Sequence, residues 1–428
     1  MKSFECVVVG AGPAGSAAAI AARRAGFEVA VVDAAPAGRD KTCGDGLTPR
    51  AVHALRELGL SAALPTYRNR GLKLHGYGGS VTAPWPEGHY GTEGSASPRS
   101  LFDAALADLA SSLGAEMFYS CPAIGAEFDD SGAITGVVTS QGTLRAKWVI
   151  VADGVRSPFG KQLGRKWHRG QVYGIAARSY CATPFSGEPW MHSHVELRDG
   201  AGAIQPGYGW IFPLGDGTVN LGCGALSTDA RPAKVNTKKL LLQYADQVRD
   251  EWQLGQPENI TSALLPMGGA VSNVAGPNWM LIGDAAACVN PLNGEGIDYG
   301  LETAIMAVDL IADAAGTHPD LTLVWPHELR RAYGEAFVLA RTLARVLTYP
   351  QFLPAAGPLA LRGPGGRHLM PAAARLMGNL VTEEDRDLVA RVWRLAGSMA
   401  SRVSRASRTR ADSPLWSVGL GPGGGSSA

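Results

Sequence analysis

The feature that most constrains the fold of this chain is a glycine-rich turn close to its start. The turn Gly10-Ala11-Gly12-Pro13-Ala14-Gly15 follows the apolar run 6–9 and opens an alanine-rich segment. A second apolar run, 29–32, ends at Asp33. Strand, glycine turn, helix, strand and acid within about thirty residues predict a dinucleotide-binding β-α-β unit. The alternative is an ordinary β-α-β unit with a glycine-rich turn. It is disfavoured because all five elements occur in the order and at the spacing of the dinucleotide-binding motif.

Each part of this turn has a physical role in such a unit. Gly10 permits the tight turn, Gly12 lets the backbone approach a pyrophosphate, and Gly15 lets helix and strand pack closely. The N-terminus of the following helix offers unpaired N–H groups to the phosphate, and Asp33 can accept hydrogen bonds from ribose hydroxyls. The residues expected to bind the cofactor here are Gly10, Gly12, Pro13, Ala14, Gly15 and Asp33.

Composition places the chain among soluble globular proteins of two or three domains. It has 428 residues, of which 46% are hydrophobic and 18% charged. The net charge of +1 gives no global field that would attract nucleic acid. Between residues 325 and 412, however, the sequence has fourteen arginines, no lysine and seven acidic residues. This basic region could face an anionic membrane, or its arginines could be solvated helix faces.

The cysteine, histidine and hydropathy patterns indicate the cellular compartment of the protein and argue against a metal site. The six cysteines have no disulfide-framework or metal-ligand spacing, which is typical of a reducing cytoplasm. His192 and His194 alternate in a strand-like segment without an apparent third ligand, so we expect structural or surface histidines and no metal. The first strand begins almost at Met1, which predicts no signal peptide. No apolar run is long enough to span a membrane, so at most peripheral association is expected.

The order of predicted elements implies a discontinuous nucleotide-binding domain with an insertion. Its pieces are residues 1–60, 96–165 and 275–320, and the inserted, mostly antiparallel β-rich substrate domain comprises 61–95 and 166–274. A helical region is predicted over 321–412, interrupted by a Pro/Gly stretch at 350–366. The Gly/Ser-rich end, 413–428, is predicted to be a flexible tail.

Two further motifs, together with the N-terminal glycines, resemble those of the flavoprotein hydroxylase superfamily. They are Val151-Ala152-Asp153-Gly154-Val155-Arg156-Ser157 and Leu281-Ile282-Gly283-Asp284-Ala285-Ala286. The resemblance implies an α/β, Rossmann-like FAD-binding domain of the p-hydroxybenzoate hydroxylase type. It implies that Asp284 contacts the ribityl chain or pyrophosphate, and that the segment Gly294-Glu295-Gly296-Ile297 aims a helix N-terminus at the flavin ring. The residues it adds to the expected FAD site are Arg99, Asp153, Gly154, Gly283, Asp284, Gly294, Gly296 and Ile297.

A narrower resemblance is carried by two other segments. The string from Lys41 to Val52, KTCGDGLTPRAV, is similar to the cysteine motif of the geranylgeranyl reductase family. Tyr208-Gly209-Trp210-Ile211-Phe212-Pro213 resembles that family's Y-x-W-x-F-P motif. Among the branches of the family, the cysteine string is most similar to actinobacterial menaquinone reductases, which saturate one isoprene unit of the quinone tail. The resemblance implies an FAD-dependent reductase of a hydrophobic prenyl substrate, either menaquinone or a geranylgeranyl group of a lipid or diphosphate.

In that interpretation the candidate catalytic residues are Cys43, Tyr208, Trp210 and Phe212, with Cys43 and Gly44 near the flavin. An isolated alkene has no electron sink, so positive charge would develop on it, and aromatic faces could stabilise that charge. The alternative for the three aromatic residues is core packing of a strand, and for Cys43 a loop thiol without a role. A thiol of ordinary pKa is a poor acid toward an alkene.

Two other functions remain open at this stage. A flavin-dependent monooxygenase or halogenase would share the fold, although the halogenase motif W-x-W-x-I-P differs from the segment 208–213. A non-catalytic FAD-binding protein is the third reading. The external reductant, whether NADPH, NADH or a protein donor, is not indicated by any motif.

Overall fold

The computed structural model describes residues 2–60, 67–313, 319–349 and 351–362. After residue 362 it describes 372, 375, 380, 381, 391, 392, 395–397 and 415–417.

The strands of the described residues fall into two large sheets and two small ones. In chain order they are β1 Ser3–Val9, β2 Val29–Val32, β3 Gly46–Leu47, β4 Gly71–Gly76, β5 Gly79–Pro84, β6 Ser95–Ala96, β7 Glu116–Phe118, β8 Ala123–Phe128, β9 Ile134–Thr139, β10 Gly142–Val151, β11 Lys166–Trp167, β12 Tyr173–Ala182, β13 Met191–His194, β14 Gly207–Pro213, β15 Thr218–Ser227, β16 Glu258–Pro266, β17 Val271–Ser272, β18 Ala275–Gly276 and β19 Trp279–Leu281.

The helices of the same residues begin mostly at proline or at a polar cap. They are α1 Pro13–Arg24, α2 Pro49–Glu57, α3 Arg99–Ser112, α4 Pro158–Gln162, α5 Thr237–Trp252, α6 Ile297–Asp313, α7 Leu321–Leu347 and α8 Phe352–Arg362. A 3₁₀ turn spans Gly283–Ala286. None of these helices combines the length and apolar composition that a bilayer crossing needs.

The first large sheet has the order β18-β19-β10-β1-β2-β7, and its central strands are parallel. Its strands are apolar on both faces because helices cover them, and α1 packs against α3 and α6. The register pairs Val9 with Val32 and with Val151, and Val151 with Leu281. The three predicted motifs therefore leave the sheet at the same level, along one carboxyl edge.

The second large sheet has the order β16-β12-β15-β14-β13-β4-β5 and is antiparallel except for the β13–β4 pair. Side chains alternate between its faces, so Ile211 and Leu221 pack against α5 while Trp210 and Phe212 lie on the opposite face. The expected α/β class, with a Rossmann-like domain and an inserted, mostly antiparallel sheet, is confirmed.

Two predictions about the C-terminal part were wrong where the structure describes it. Residues 352–362 form α8, although the Pro/Gly content of 350–366 predicted an interruption. Pro354 lies in the first turn, where no N–H partner is lost, and burial of Leu361 supports the helix past Pro358. Within the predicted flexible tail 413–428, Trp416 is fully buried and its indole N–H donates to the Ala286 carbonyl oxygen at 2.7 Å.

Candidate active site

The glycine turn forms the floor of a cleft at the carboxyl edge of the first sheet. Gly10 has a φ of +109°, and a Cβ there would lie 2.4 Å from the carbonyl oxygen of Ala152. A Cβ on Gly15 would lie 1.7 Å from the carbonyl oxygen of Gly10. α1 begins at Pro13 without a side-chain cap, so its N-terminal N–H groups face the cleft. The turn therefore excludes side chains and presents backbone donors.

Asp33 lies at the adjacent strand end and is mostly buried. Its carboxylate accepts hydrogen bonds from the backbone N–H of Ala11 at 2.7 Å and of Ala35 at 2.8 Å, and Arg39 lies 3.6 Å away. Each carboxylate oxygen keeps a further lone pair for a ribose hydroxyl. Arg39 was not predicted from the sequence, and no motif indicated it.

Lys41 lies between the motif at 151–157 and the motif at 281–286. Lys41 Nζ lies 3.1 Å from an Asp284 carboxylate oxygen, and a Cβ on Gly154 would lie 3.5 Å from the same amine. Asp153 caps the start of α4, and its expected contact with FAD stays a prediction. Its oxygens accept from the Ser157 hydroxyl at 2.6 Å and from the first amides of α4.

The residues present fit the FAD that the resemblance implies. Backbone donors at α1 and the Lys41 cation suit a pyrophosphate, and the carboxylate of Asp33 suits a ribose. A Cβ on Gly296 would lie 3.0 Å from Asp284 Oδ1, and a Cβ on Gly283 would lie 3.0 Å from Ala14. Glycine at these positions leaves the approaches open, next to the point where α6 begins at Ile297. That the N-terminus of α6 is aimed at the flavin ring, as the resemblance implies, stays a prediction.

The loop around Cys43, which we name the cysteine loop, packs against the aromatic residues of β14. We name Tyr208, Trp210 and Phe212 the aromatic cluster. Their neighbouring ring centroids are 5.8 Å and 6.2 Å apart. A Cβ on Gly44 would lie 3.2 Å from the Phe212 ring, and a Cβ on Gly222 would lie 2.2 Å from the Trp210 ring. The loop thus closes one side of the cluster while the glycine of β15 forms its floor.

A buried hydrogen-bond network joins this loop to the cluster. Asn220, which is fully buried, accepts from Trp210 Nε1 at 2.8 Å and donates to the Cys43 carbonyl oxygen and to Asp45 Oδ2, each at 2.9 Å. The Tyr180 hydroxyl donates to the same carboxylate at 2.7 Å. Burial raises the pKa of Asp45 to about 6. Sequence reasoning missed Asp45 and Asn220, although Asp45 stands inside the quoted cysteine motif.

Cys43 is a half-buried thiol beside the buried cation of Arg99. Burial raises its pKa, and the neighbouring Arg99 guanidinium only partly opposes this. Arg99 forms a bidentate pair with Asp103, with N···O distances of 2.6 and 2.7 Å. Cys43 is therefore a neutral thiol with Arg99 beside it. That Arg99 also lies beside the cofactor, as the resemblance implies, stays a prediction.

A group of carboxylates surrounds the start of α6. Glu302 forms a bidentate pair with Arg50, whose side chain is buried. Burial raises the pKa of Glu295 and of Asp298, although the Arg50 cation opposes the rise at both groups. The loop before α6 also carries the Asn293 carbonyl oxygen, which accepts from the Tyr208 hydroxyl at 2.6 Å. Two acids that favour the protonated form thus lie behind the cluster.

The paired histidines lie on the other side of the second sheet. His192 and His194 stack on His75 with centroid distances of 5.1 and 4.6 Å, and His194 hydrogen-bonds Tyr244 of α5. Across the described ranges, no group of three or more His, Cys, Asp or Glu side chains could hold a metal ion. These histidines therefore belong to the interface between the sheet and α5.

Comparison with known proteins agrees with this geometry. The model of the FAD binding domain family matches residues 3–339. The menaquinone reductase of Mycobacterium tuberculosis is 52% identical over 406 residues, which are 94% of this chain and 98% of that protein. A geranylgeranyl bacteriochlorophyll reductase-like structure from Thermoplasma acidophilum has a TM-score of 0.71 at 21% identity, covering 82% of this chain and 88% of that one. A flavin-dependent brominase has a TM-score of 0.69 at 19% identity over 94% and 100%, a likeness that shows the fold alone.

Proposed function

This chain belongs to the FAD binding domain family, and from that premise we propose that it is an FAD-dependent reductase that saturates an isoprene C=C bond in the menaquinone side chain. The observation that carries the proposal is the contact between the cysteine loop and the aromatic cluster at the FAD cleft. The identity to a menaquinone reductase over nearly the whole length of both proteins supports the substrate.

The reaction adds one hydride and one proton across an isolated double bond, and the chain supplies a binding site for both the tail and the developing charge. Bound FAD, once reduced, supplies the hydride. The aromatic cluster and its neighbours Trp85 and Met191 form an apolar surface that receives the prenyl unit and excludes water. The faces of Trp210 and Phe212 stabilise positive charge on the more substituted carbon. We assign Cys43 the positioning of the tail, since its raised pKa makes it a weak acid.

The location of the substrate sets the location of the enzyme. A quinone with a polyprenyl tail partitions into the bilayer, so we propose peripheral association with the inner face of the cell membrane. Arginines 402, 405, 408 and 410 belong to the basic region that the sequence left open as membrane-facing or solvated, and they lie outside the described residues.

Anaerobic single turnover tests the proposal. Purified FAD-loaded protein, reduced chemically and mixed with menaquinone, should yield a product that stays heavier by two hydrogen atoms after any quinol has been reoxidised in air, as measured by lipid mass spectrometry. Trp210→Leu keeps an apolar side chain but removes the aromatic face, and a desolvated cation–π contact of about 2 kcal/mol predicts a roughly thirty-fold slower turnover. Trp252→Leu, on the opposite face of the sheet, is the matched control and should leave the rate unchanged.

Two results would contradict the proposal. Product formation that requires oxygen or a halide would indicate a monooxygenase or halogenase. A reduced flavin that is never reoxidised by menaquinone would exclude the quinone tail as the electron acceptor.

A further inference from the structure

The outward face of α8 is apolar, which is unusual for a helix on a protein surface. Phe352, Ala355 and Leu359 follow one another at helical spacing and are all exposed, with Leu359 77% and Phe352 39% exposed. No charged residue occurs from 351 to 361. A surface helix normally places polar residues on this side. We name these three residues the α8 stripe.

Packing on the opposite side fixes the stripe toward the outside. Leu361 is buried with Leu74, Tyr77 and Val81 of the β4–β5 hairpin. A Cβ on Gly357 would lie 2.1 Å from the Tyr77 ring, so the helix backbone rests directly on that ring. Arg362 donates from its side chain to the Tyr77 carbonyl oxygen. The helix therefore cannot rotate to bury the stripe without losing these contacts.

The sheet face under α8 is the same face that carries the aromatic cluster. Leu74, which contacts the α8 side, and Leu72 alternate on β4 and so point the same way, about 7 Å apart. Leu72 packs against the group of Trp85, Met191, Trp210 and Phe212. Buried apolar side chains thus connect α8 to the cluster along one strand. This strand is the shortest apolar path from α8 toward Trp210.

Cations lie beyond both ends of the stripe. Arg362 ends α8 and is exposed. Before α8, the Arg231 guanidinium lies 4.0 Å from the centroid of the Tyr349 ring, which is 51% exposed. The nearby carboxylate of Glu196 is paired with Arg198 and is also close enough to Arg362 for that cation to lower its pKa. An apolar stripe bracketed by arginines and an exposed aromatic residue matches the interface of an anionic bilayer.

We propose that α8 docks this protein on an anionic lipid bilayer, with the α8 stripe among the acyl chains, and that the substrate tail enters the protein beside it. The entry route rests on the proposed function, because it assumes a prenyl substrate. The docking itself depends only on the stripe and its arginines.

Vesicle flotation of the full FAD-loaded chain tests the docking. The wild type should bind vesicles of phosphatidylcholine with phosphatidylglycerol, and should bind vesicles of phosphatidylcholine alone more weakly. Phe352→Glu/Leu359→Glu should reduce binding to the mixed vesicles at least about ten-fold. Leu359→Glu alone, at a strongly exposed position, should give an intermediate loss. Leu323→Glu is the matched control, since Leu323 is 67% exposed on α7 but far from the stripe.

Turnover separates the docking from the proposed function. With menaquinone in vesicles the double variant should lose activity in proportion to its binding, whereas a water-dispersed quinone with a short prenyl tail should be reduced at the wild-type rate. If the wild type reduces neither substrate, the proposed function is wrong, and vesicle binding alone then decides whether α8 docks on the bilayer. Unchanged vesicle binding by the double variant overturns the docking. So does an equal loss in Leu323→Glu, or a wild-type dimer that the double variant converts to a monomer, because the stripe would then be a self-association surface.

Discussion

Removing the side chain of Asn220 should separate the cysteine loop from the aromatic cluster while leaving the fold intact. Asn220→Ala deletes three buried hydrogen bonds and leaves Trp210 Nε1 and one oxygen of Asp45 without these partners. At roughly 1–2 kcal/mol for each, the expected loss is about 3–6 kcal/mol in the free energy of unfolding. That is less than the stability of many proteins of this size, so the variant should remain folded.

The pH dependence of the same variant provides an independent check. Burial raises the pKa of Asp45 to about 6 from its ordinary value of 3.8, although hydrogen bonds from Tyr180 and Asn220 oppose the rise. Because the folded value lies above the unfolded one, the folded state holds this proton more tightly between these two values. Stability from this group is therefore present at low pH and declines by about 3 kcal/mol as pH rises through 6. Without Asn220 the decline should extend to higher pH.

Urea unfolding between pH 4 and 8, followed by circular dichroism, measures both effects, and anaerobic single turnover measures the consequence for catalysis. The matched control is Asn278→Ala, because Asn278 also makes three hydrogen bonds to backbone groups but lies at the distant end of the first sheet. It should lose stability without a change in turnover. Two results together would contradict this prediction. The free energy of unfolding of Asn220→Ala would lie within about 1 kcal/mol of the wild-type value, the lower limit for one such bond, and its turnover rate would be unchanged.

Three further predictions follow from single contacts. Gly10→Ala places a methyl group 2.4 Å from the Ala152 carbonyl oxygen, so the ratio of flavin to protein absorbance in purified protein should fall about ten-fold or more, and an unchanged ratio would contradict the fit of FAD to this turn. Glu302→Ala leaves the buried Arg50 without its bidentate partner and should cost about 3–5 kcal/mol in urea unfolding, whereas the double variant Arg50→Met/Glu302→Met should recover most of it. Burial lowers the pKa of His192 to about 3, so stability should fall as pH drops below 6.5; His192→Phe should flatten the dependence of Tm on pH, and an equal slope would show that other groups cause it.

Local sequence patterns predicted the cofactor cleft because the parts that form it are close in the chain or end strands of one sheet. Gly10 and Asp33 follow neighbouring parallel strands, so the motif alone places them together. The same logic fails for Asn220. It stands on a strand of the other sheet, and an asparagine in a β-rich segment has no periodicity that indicates a partner at position 43 or 45. The resemblance supplied the cysteine and aromatic motifs but not the residue that joins them.

The predicted helix interruption at 350–366 was wrong for a physical reason. Proline and glycine at 350–366 predict an interruption when the helix is considered alone, but α8 is stabilised by packing on the β4–β5 hairpin, which is nearly three hundred residues earlier. The burial of Trp416 was not predicted, because glycine and serine dominate the residues after it. A tryptophan in such a segment is the signal that could have found it, since its large apolar surface favours burial.

The loop that carries Cys43 leaves the first sheet, yet its hydrogen bonds bind it to the second. The fully buried Arg178 on β12 pairs with Asp40 and donates to the Lys41 carbonyl oxygen at 3.2 Å. Further along the loop, Asn220 on β15 holds the Cys43 carbonyl oxygen. Asp40 is exposed, but detaching the loop would leave the buried Arg178 guanidinium without this carboxylate. Leaving a buried charge without its partner is costly, so the loop resists detachment from that sheet. If the two sheets shift relative to each other, Cys43 should therefore move with the aromatic cluster. The distance between the thiol and Trp210 should then change less than the distance from the thiol to the glycine turn, although the Lys41–Asp284 pair also holds the loop to the first sheet.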